Sequence, residues 1–215
     1  MLFTLFLWTL LLQLSPCFAP IGIDVSTTVR ENTFHCMKDK GFSFAIIRGY
    51  RSIGRTDANA VTTMQNGLSV GIRTEAYHFP CMGKVPPQVQ ANETLQYLGK
   101  FTRKFWIDIE TNPSNYCKWL DPKSNCVFLR TLVSSFQSLG ADVGIYASAY
   151  MWKTIFGSLG ACSEFSTLDL WYAHWDNQKS FVDFKTFGGW TSPKIKQYSG
   201  TVSLCGASVD LNWQP

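Results

Sequence analysis

Trp106-Ile107-Asp108-Ile109-Glu110 is the stretch that decides the reading of this chain. Side chains alternate faces along a strand, so Trp106, Asp108 and Glu110 share one face while Ile107 and Ile109 share the other. The isoleucines belong against packed apolar surface. The two acids then stand side by side on the opposite face, where like charges in a low-dielectric site cannot both ionise freely. One of them is expected to hold its proton at neutral pH. A neutral acid beside an ionised carboxylate is the pair that glycosidic bond cleavage uses.

Outward from this segment, strand-like and helix-like runs alternate. Strands are expected at 21–26, 44–48, within 70–79, at 105–110 and at 142–147. Between them lie helical patterns at about 28–40, 57–68, 87–104 and 125–139, and a short one near 150–156. The helix at 87–104 turns Val89, Leu95, Leu98 and Phe101 inward, and the one at 125–139 turns Val127, Leu129, Leu132, Val133 and Phe136 inward. Three further strands, 168–175, 195–198 and 208–213, are joined mainly by loops, with turns at Gly188-Gly189 and Ser199-Gly200. Alternating strands and helices imply a parallel sheet, and eight strands imply a closed α/β barrel of TIM-like type with about five helices. Without repeats, low-complexity tracts or linkers, residues 20–215 read as one domain.

In such a barrel the active site lies at the C-terminal ends of the strands. Asp24 closes the first strand, Asp108 and Glu110 close the fourth, and Asp210 lies in the eighth. First and eighth strands are neighbours in a closed barrel, so four acids from three separated segments converge on one mouth. Arg48 and Glu75, on neighbouring strands, read as a structural ion pair. His78 faces away from Tyr77 and Phe79 and reads as a packed histidine. His35 and His174 have no Ser or Cys nucleophile to serve, and no Gly-x-Ser-x-Gly or phosphate loop is present.

The net charge of +4 suits an anionic polymer such as a bacterial wall and equally an ordinary solvated surface. Lys and Arg form no stripe, which argues against nucleic acid as a partner. Aromatic residues make up 15% of the chain, enough to fill a core and leave rings for stacking on sugars. Residues 2–14 are almost wholly apolar and 15–19 mostly small, so residues 1–19 read as a secretory signal peptide, although no basic residue precedes the apolar run. The run is shorter than the roughly 20 residues a membrane span needs, so no stable membrane insertion is expected after cleavage. Export would place the protein outside the cell, or in a lysosome or gut lumen. With Cys17 lost in the leader, Cys36, Cys81, Cys117, Cys126, Cys162 and Cys205 form an even set that suggests three disulfides. The polar loop between Cys117 and Cys126 makes those two the candidate local bridge. No cysteine or histidine cluster has zinc spacing, so neither metal nor cofactor is expected. Asn92-Glu93-Thr94 is a glycosylation sequon, whereas Asn112-Pro113-Ser114 is excluded by its proline.

Seven segments in order carry a resemblance: Gly22-Ile23-Asp24-Val25-Ser26, Ala76-Tyr77-His78-Phe79, Trp106-Ile107-Asp108-Ile109-Glu110, Gly144-Ile145-Tyr146-Ala147, Leu170-Trp171-Tyr172-Ala173, Gln197-Tyr198-Ser199 and Val209-Asp210-Leu211-Asn212. Together they resemble the glycoside hydrolase family 25 lysozymes over nearly the whole mature chain, most closely the secreted animal branch. The resemblance implies a flattened barrel with fewer helices than strands. It implies hydrolysis, without a cofactor, of the β-1,4 bond between N-acetylmuramic acid and N-acetylglucosamine in bacterial peptidoglycan. It also implies a secreted monomer serving antibacterial defence or bacterial digestion. On this resemblance Glu110 is the general acid, and Asp108 stays ionised to orient the substrate's N-acetyl group, whose oxygen acts as an internal nucleophile. Asp24 and Asp210 match the family's other two acids. Tyr77, Phe79 and Tyr146 line the sugar groove, and Trp175 stands where many members carry Tyr. A wall-binding protein that has lost catalysis would show a broken Asp-x-Glu pair. A chitinase-like barrel would carry further acids where Lys104 and Phe105 stand.

Overall fold

Ring closure organises the chain. The computed structural model describes residues 19–215, so the leader reading, with Cys17, lies outside the described residues. The strands are β1 (Ile21–Val25), β2 (Phe42–Arg51), β3 (Arg55–Thr56), β4 (Arg73–His78), β5 (Lys104–Ile109), β6 (Asp142–Ala147), β7 (Asp169–Ala173), β8 (Ile195–Leu204) and β9 (Ala207–Trp213). They run in the order β1-β9-β8-β7-β6-β5-β4-β2, and β1 pairs with β2 to close an eight-stranded barrel. The short β3 adds a hairpin to β2. Five helices pack outside: α1 (Glu31–Asp39), α2 (Ala60–Ser69), α3 (Pro87–Leu98), α4 (Pro122–Ser138) and α5 (Ala149–Phe156). None of the described helices is long and apolar enough to cross a membrane.

The expected α/β barrel is therefore present, but its sheet is not wholly parallel. β9 runs antiparallel to both β1 and β8. The reason is the connection. Only Cys205 and Gly206 separate the two strands, and a parallel crossover needs a dozen or more residues. Both residues have positive φ, 51° and 80°, the handedness that a two-residue hairpin favours.

Side-chain alternation splits the core in two. Inside the barrel Phe44, Ile46, Trp106, Tyr146, Trp171 and Ile195 form one cluster. Ile107 and Ile109 point the other way, into the larger layer between barrel and helices with Phe34, Leu129 and Phe136. The interior has little room to spare. A Cβ on Gly22 would lie 2.4 Å from the Phe44 ring, and one on Gly144 would lie 2.3 Å from Trp106.

Several local readings change. α3 stops at Leu98, and its buried face is Gln90, Ala91, Thr94 and Leu98, while Val89 is exposed. Polar residues take that face because His78, fully buried, needs partners: Nδ1 lies 2.9 Å from Thr94 Oγ1 and Nε2 lies 3.2 Å from Gln90 Oε1. Burial pushes His78 down to about 3, so it packs as a neutral ring. α4 starts at Pro122, earlier than expected, because Asp121 caps it by accepting the Ser124 N–H and proline suits the first turn. Val127 is exposed on that helix. Arg48 pairs with Asp57 rather than Glu75. Glu75 faces the barrel interior, where it accepts the Trp106 indole N–H at 2.7 Å and meets Arg73 at 3.2 Å.

The three disulfides join Cys36 to Cys205, Cys81 to Cys117 and Cys126 to Cys162. The expected Cys117–Cys126 bridge is not formed. Cys126 lies one turn into α4 and faces Cys162 before the 3₁₀ turn Ser163–Thr167, whereas Cys117 is buried against the segment after β4. Cys36–Cys205 spans 169 residues and ties α1 to the tip of the β8–β9 hairpin. A long closed loop restrains the unfolded chain strongly, so a Cys36→Ser/Cys205→Ser variant should lose about 2–4 kcal/mol in equilibrium urea unfolding. An unchanged midpoint and slope would show that the bridge does not restrain the unfolded chain.

Candidate active site

β5 delivers its acids as the alternation requires. Asp108 lies next to last in the strand and Glu110 just past its end, both on the face of Trp106. At this mouth Asp24, Tyr77, Asp108, Glu110, Tyr146, Trp171, Gln197 and Asp210 line one pocket. All four sequence-predicted acids thus meet. Asp24 and Asp210 are Cα partners on the antiparallel pair β1 and β9. Asp210 reaches the mouth from mid-strand, because the β8–β9 hairpin continues past the rim while β1 stops there.

The two pairs of acids have different surroundings. Asp24 Oδ2 accepts from Gln197 Nε2 at 2.9 Å and from Asn212 Nδ2 at 2.7 Å. Asp210 accepts from Gln197 Nε2 at 3.3 Å and from the Thr201 N–H at 2.6 Å. Asp108 is buried, and its Oδ1 has no hydrogen-bond partner among the described residues. Burial raises all four acids above their ordinary values. For Asp24 burial and then Asp210 push the carboxyl up to about 7, against the opposing bonds from Asn212 and Gln197. For Asp108 burial, then Glu110 and Asp24, push it well up, with Arg48 opposing. Burial also raises Glu110, the Tyr146 hydroxyl partly offsetting it and Asp210 adding to it. Burial raises Asp210 against the Thr201 N–H. Facing one another across one pocket, the acids release protons as a set. Tyr77 and Tyr146 are raised well above their ordinary value, first by burial, and stay neutral hydroxyls.

Of the expected sugar-contacting rings, Tyr77 and Tyr146 line the pocket. Trp175 stands at the rim, 57% exposed, with its Nε1 donating to Gln197 Oε1 at 2.8 Å. Its ring lies against Gly200, where a Cβ would fall 2.2 Å away. Phe79 is buried just past the end of β4 and is not among the lining residues. Asn92 is exposed on α3.

Trp171, Gln197 and Asn212 escaped sequence reasoning as site residues. Gln197 and Asn212 carry a usable signal, since polar side chains inside strands of a closed barrel must find partners. Asn212 accepts the Trp171 indole N–H at 2.7 Å while donating to Asp24. One cluster elsewhere, His174, Asp176 and Asp183, has ligand atoms close enough to hold a cation. That position is already served by the buried ammonium of Lys196, 2.8 Å from Asp176 and 2.6 Å from Asp183.

The chain has recognisable relatives. The family model described as lysozyme-like protein 1 matches residues 16–198. The Dictyostelium discoideum protein named "Probable GH family 25 lysozyme 4" is 39% identical, with 90% of each chain covered. Among solved structures, the bacterial lysozyme from Streptomyces coelicolor is 26% identical with a TM-score of 0.71, covering 91% of this chain and 92% of its own. The muramidase from Acremonium alcalophilum is 18% identical with a TM-score of 0.75 over 91% of this chain and 93% of its own, a likeness of fold.

Asp108 binds its proton more tightly in the folded chain than at the ordinary value of 3.8. Its contribution to stability therefore falls as pH rises from about 4 toward the raised folded value. Asp108→Asn has no such proton to lose. Thermal unfolding between about pH 4 and pH 8 should show a shallower decline in Tm than the native chain, with the variant more stable at the upper end. An equally steep decline would remove Asp108 from this account.

Proposed function

Because the chain belongs to the glycoside hydrolase family 25 lysozymes, we propose that it cleaves the β-1,4 bond between N-acetylmuramic acid and N-acetylglucosamine in bacterial peptidoglycan, with Glu110 as general acid. The observation that carries this reading is the unmatched pair at the end of β5: a buried Asp108 oxygen lacking a donor among the described residues, beside a Glu110 whose proton affinity is raised by burial. Sugars of this polymer carry a 2-acetamido group, whose N–H is the donor Asp108 lacks. That hydrogen bond favours the ionised form of Asp108, against the burial that raises its proton affinity in the open pocket. The ionised carboxylate then orients the acetamide so that its oxygen attacks the anomeric carbon. As that bond forms, the bond to the leaving sugar breaks and the Glu110 proton passes to the leaving oxygen. The Glu110 carboxylate afterwards takes a proton from the water that opens the cyclic intermediate. Asp24 and Asp210 set negative charge across the pocket from the developing positive charge. Tyr77, Tyr146 and Trp171 shape the pocket, and the Trp175 indole offers a sugar ring a stacking face at the rim.

The same reading makes the protein an exported monomer. The apolar leader at 1–19 is removed, and three disulfides suit an oxidising compartment. Its task is antibacterial defence or the digestion of bacteria. Sequencing the N-terminus of protein collected from the medium should start close to Pro20; an intact Met1 there would remove the leader assignment.

Glu110→Gln keeps the side chain's shape and removes its proton. It should slow the release of reducing ends from peptidoglycan by about 10²–10⁴-fold while leaving the unfolding transition in place. Mass spectrometry should identify the native enzyme's new ends as N-acetylmuramic acid. Full activity in the variant would overturn the acid assignment, and ends at N-acetylglucosamine would overturn the bond.

A further inference from the structure

Four hydrogen bonds meet on the side chain of Gln197, which is 2% exposed. Its Oε1 accepts from the Tyr146 hydroxyl at 2.8 Å and from Trp175 Nε1 at 2.8 Å. Its Nε2 donates to Asp24 at 2.9 Å and to Asp210 at 3.3 Å. An indole nitrogen can only donate, so the oxygen end of the amide must face Trp175 and the NH₂ end must face the acids. Chemistry thus dictates which way this amide points. An amide NH₂ supplies two hydrogens and has no proton to lose in the working pH range. It can therefore bridge two carboxylates that sit directly opposite on paired strands, a placement otherwise destabilising.

We infer that Gln197 is a positioning residue for the hydrolysis: it holds Asp24 and Asp210 as a fixed pair and ties them to the rim indole of Trp175. The inference rests on the hydrolase reading above and adds a residue to it. The titratable groups that line the pocket with this amide are Asp24 from β1, Asp210 from β9, Tyr146 from β6, Asp108 from β5, Glu110 just past its end, and Tyr77 from β4. Lys196 is matched instead by Asp176 and Asp183. Among the described residues no cation takes part in the bridge between the two acids; a neutral amide does that work.

Two substitutions separate this role from simple packing. Gln197→Glu has the same shape, and one oxygen still accepts from Tyr146 and Trp175. Its other end donates only while protonated, and then to one acid alone. At higher pH it becomes a further carboxylate beside Asp24 and Asp210. Gln197→Met fills the space but neither donates nor accepts.

The experiment measures kcat and KM against pH on soluble peptidoglycan fragments for the native enzyme and both variants, with thermal unfolding of each. Gln197→Glu should stay within about tenfold of native kcat at the acid end and lose activity at a pH lower by about one unit or more. Gln197→Met should lose about tenfold to hundredfold in kcat at every pH, with no shift of its alkaline limb to lower pH, because losing the Gln197 bond can only raise Asp24. A native pH profile in Gln197→Glu, or native kcat in Gln197→Met, would overturn the inference while leaving the hydrolase reading intact. If Gln197→Met does not fold, the Gln197→Glu profile decides alone. A native enzyme inactive on these fragments would strike the hydrolase reading itself, and this inference with it.

Discussion

Closure of eight strands into a ring leaves an interior just wide enough for side chains, and everything else here follows from what fills it. The aromatic plug of Phe44, Trp106 and Trp171 occupies that interior, so closely that Gly22 and Gly144 leave no space for a Cβ. Above the plug the same strands present polar residues. The acids therefore sit on an apolar floor, Asp24 and Asp108 buried and Glu110 and Asp210 partly exposed. Their proton affinities follow from that floor more than from any single neighbour, since burial is the largest cause of the shift for all four.

Like-charged groups this close need compensation, and the fold supplies it unevenly. Asp24 and Asp210 receive donors from Gln197, Asn212 and the Thr201 backbone. Asp108 Oδ1 receives none. Arg48, whose charge partly opposes the shift at Asp108, is itself paired with Asp57. An unsatisfied buried acid costs stability, and such a cost is characteristic of sites shaped for a ligand rather than for folding. The site thus combines two carboxyls held by several protein donors with an Asp108 oxygen that has none among the described residues.

The mouth is held by covalent and ionic ties placed beside the acids. Cys81–Cys117 anchors the loop after β5, where Trp119 Nε1 donates to the Glu110 carbonyl at 2.6 Å. Cys36–Cys205 fixes the hairpin that carries Asp210. Behind Trp175, Lys196 gathers Asp176, Asp183 and the Ser180 carbonyl. Such ties fix the segments that carry the acids, as a preorganised pocket requires.

Residue pattern alone determined the barrel, the faces of β5 and the convergence of four acids, because strand alternation and ring closure are local rules that need only the order of residues. Tertiary structure decided the rest. The reversed β9 follows from a two-residue turn that pattern reading passed over. The disulfide partners, the Arg48–Asp57 pair and the polar face of α3 depend on which segments meet in space. The Gln197 bridge is the clearest case: its glutamine is plain in the sequence, but its four partners come from β1, β6, β9 and the loop after β7. Only closure of the ring brings them within hydrogen-bond reach of one amide.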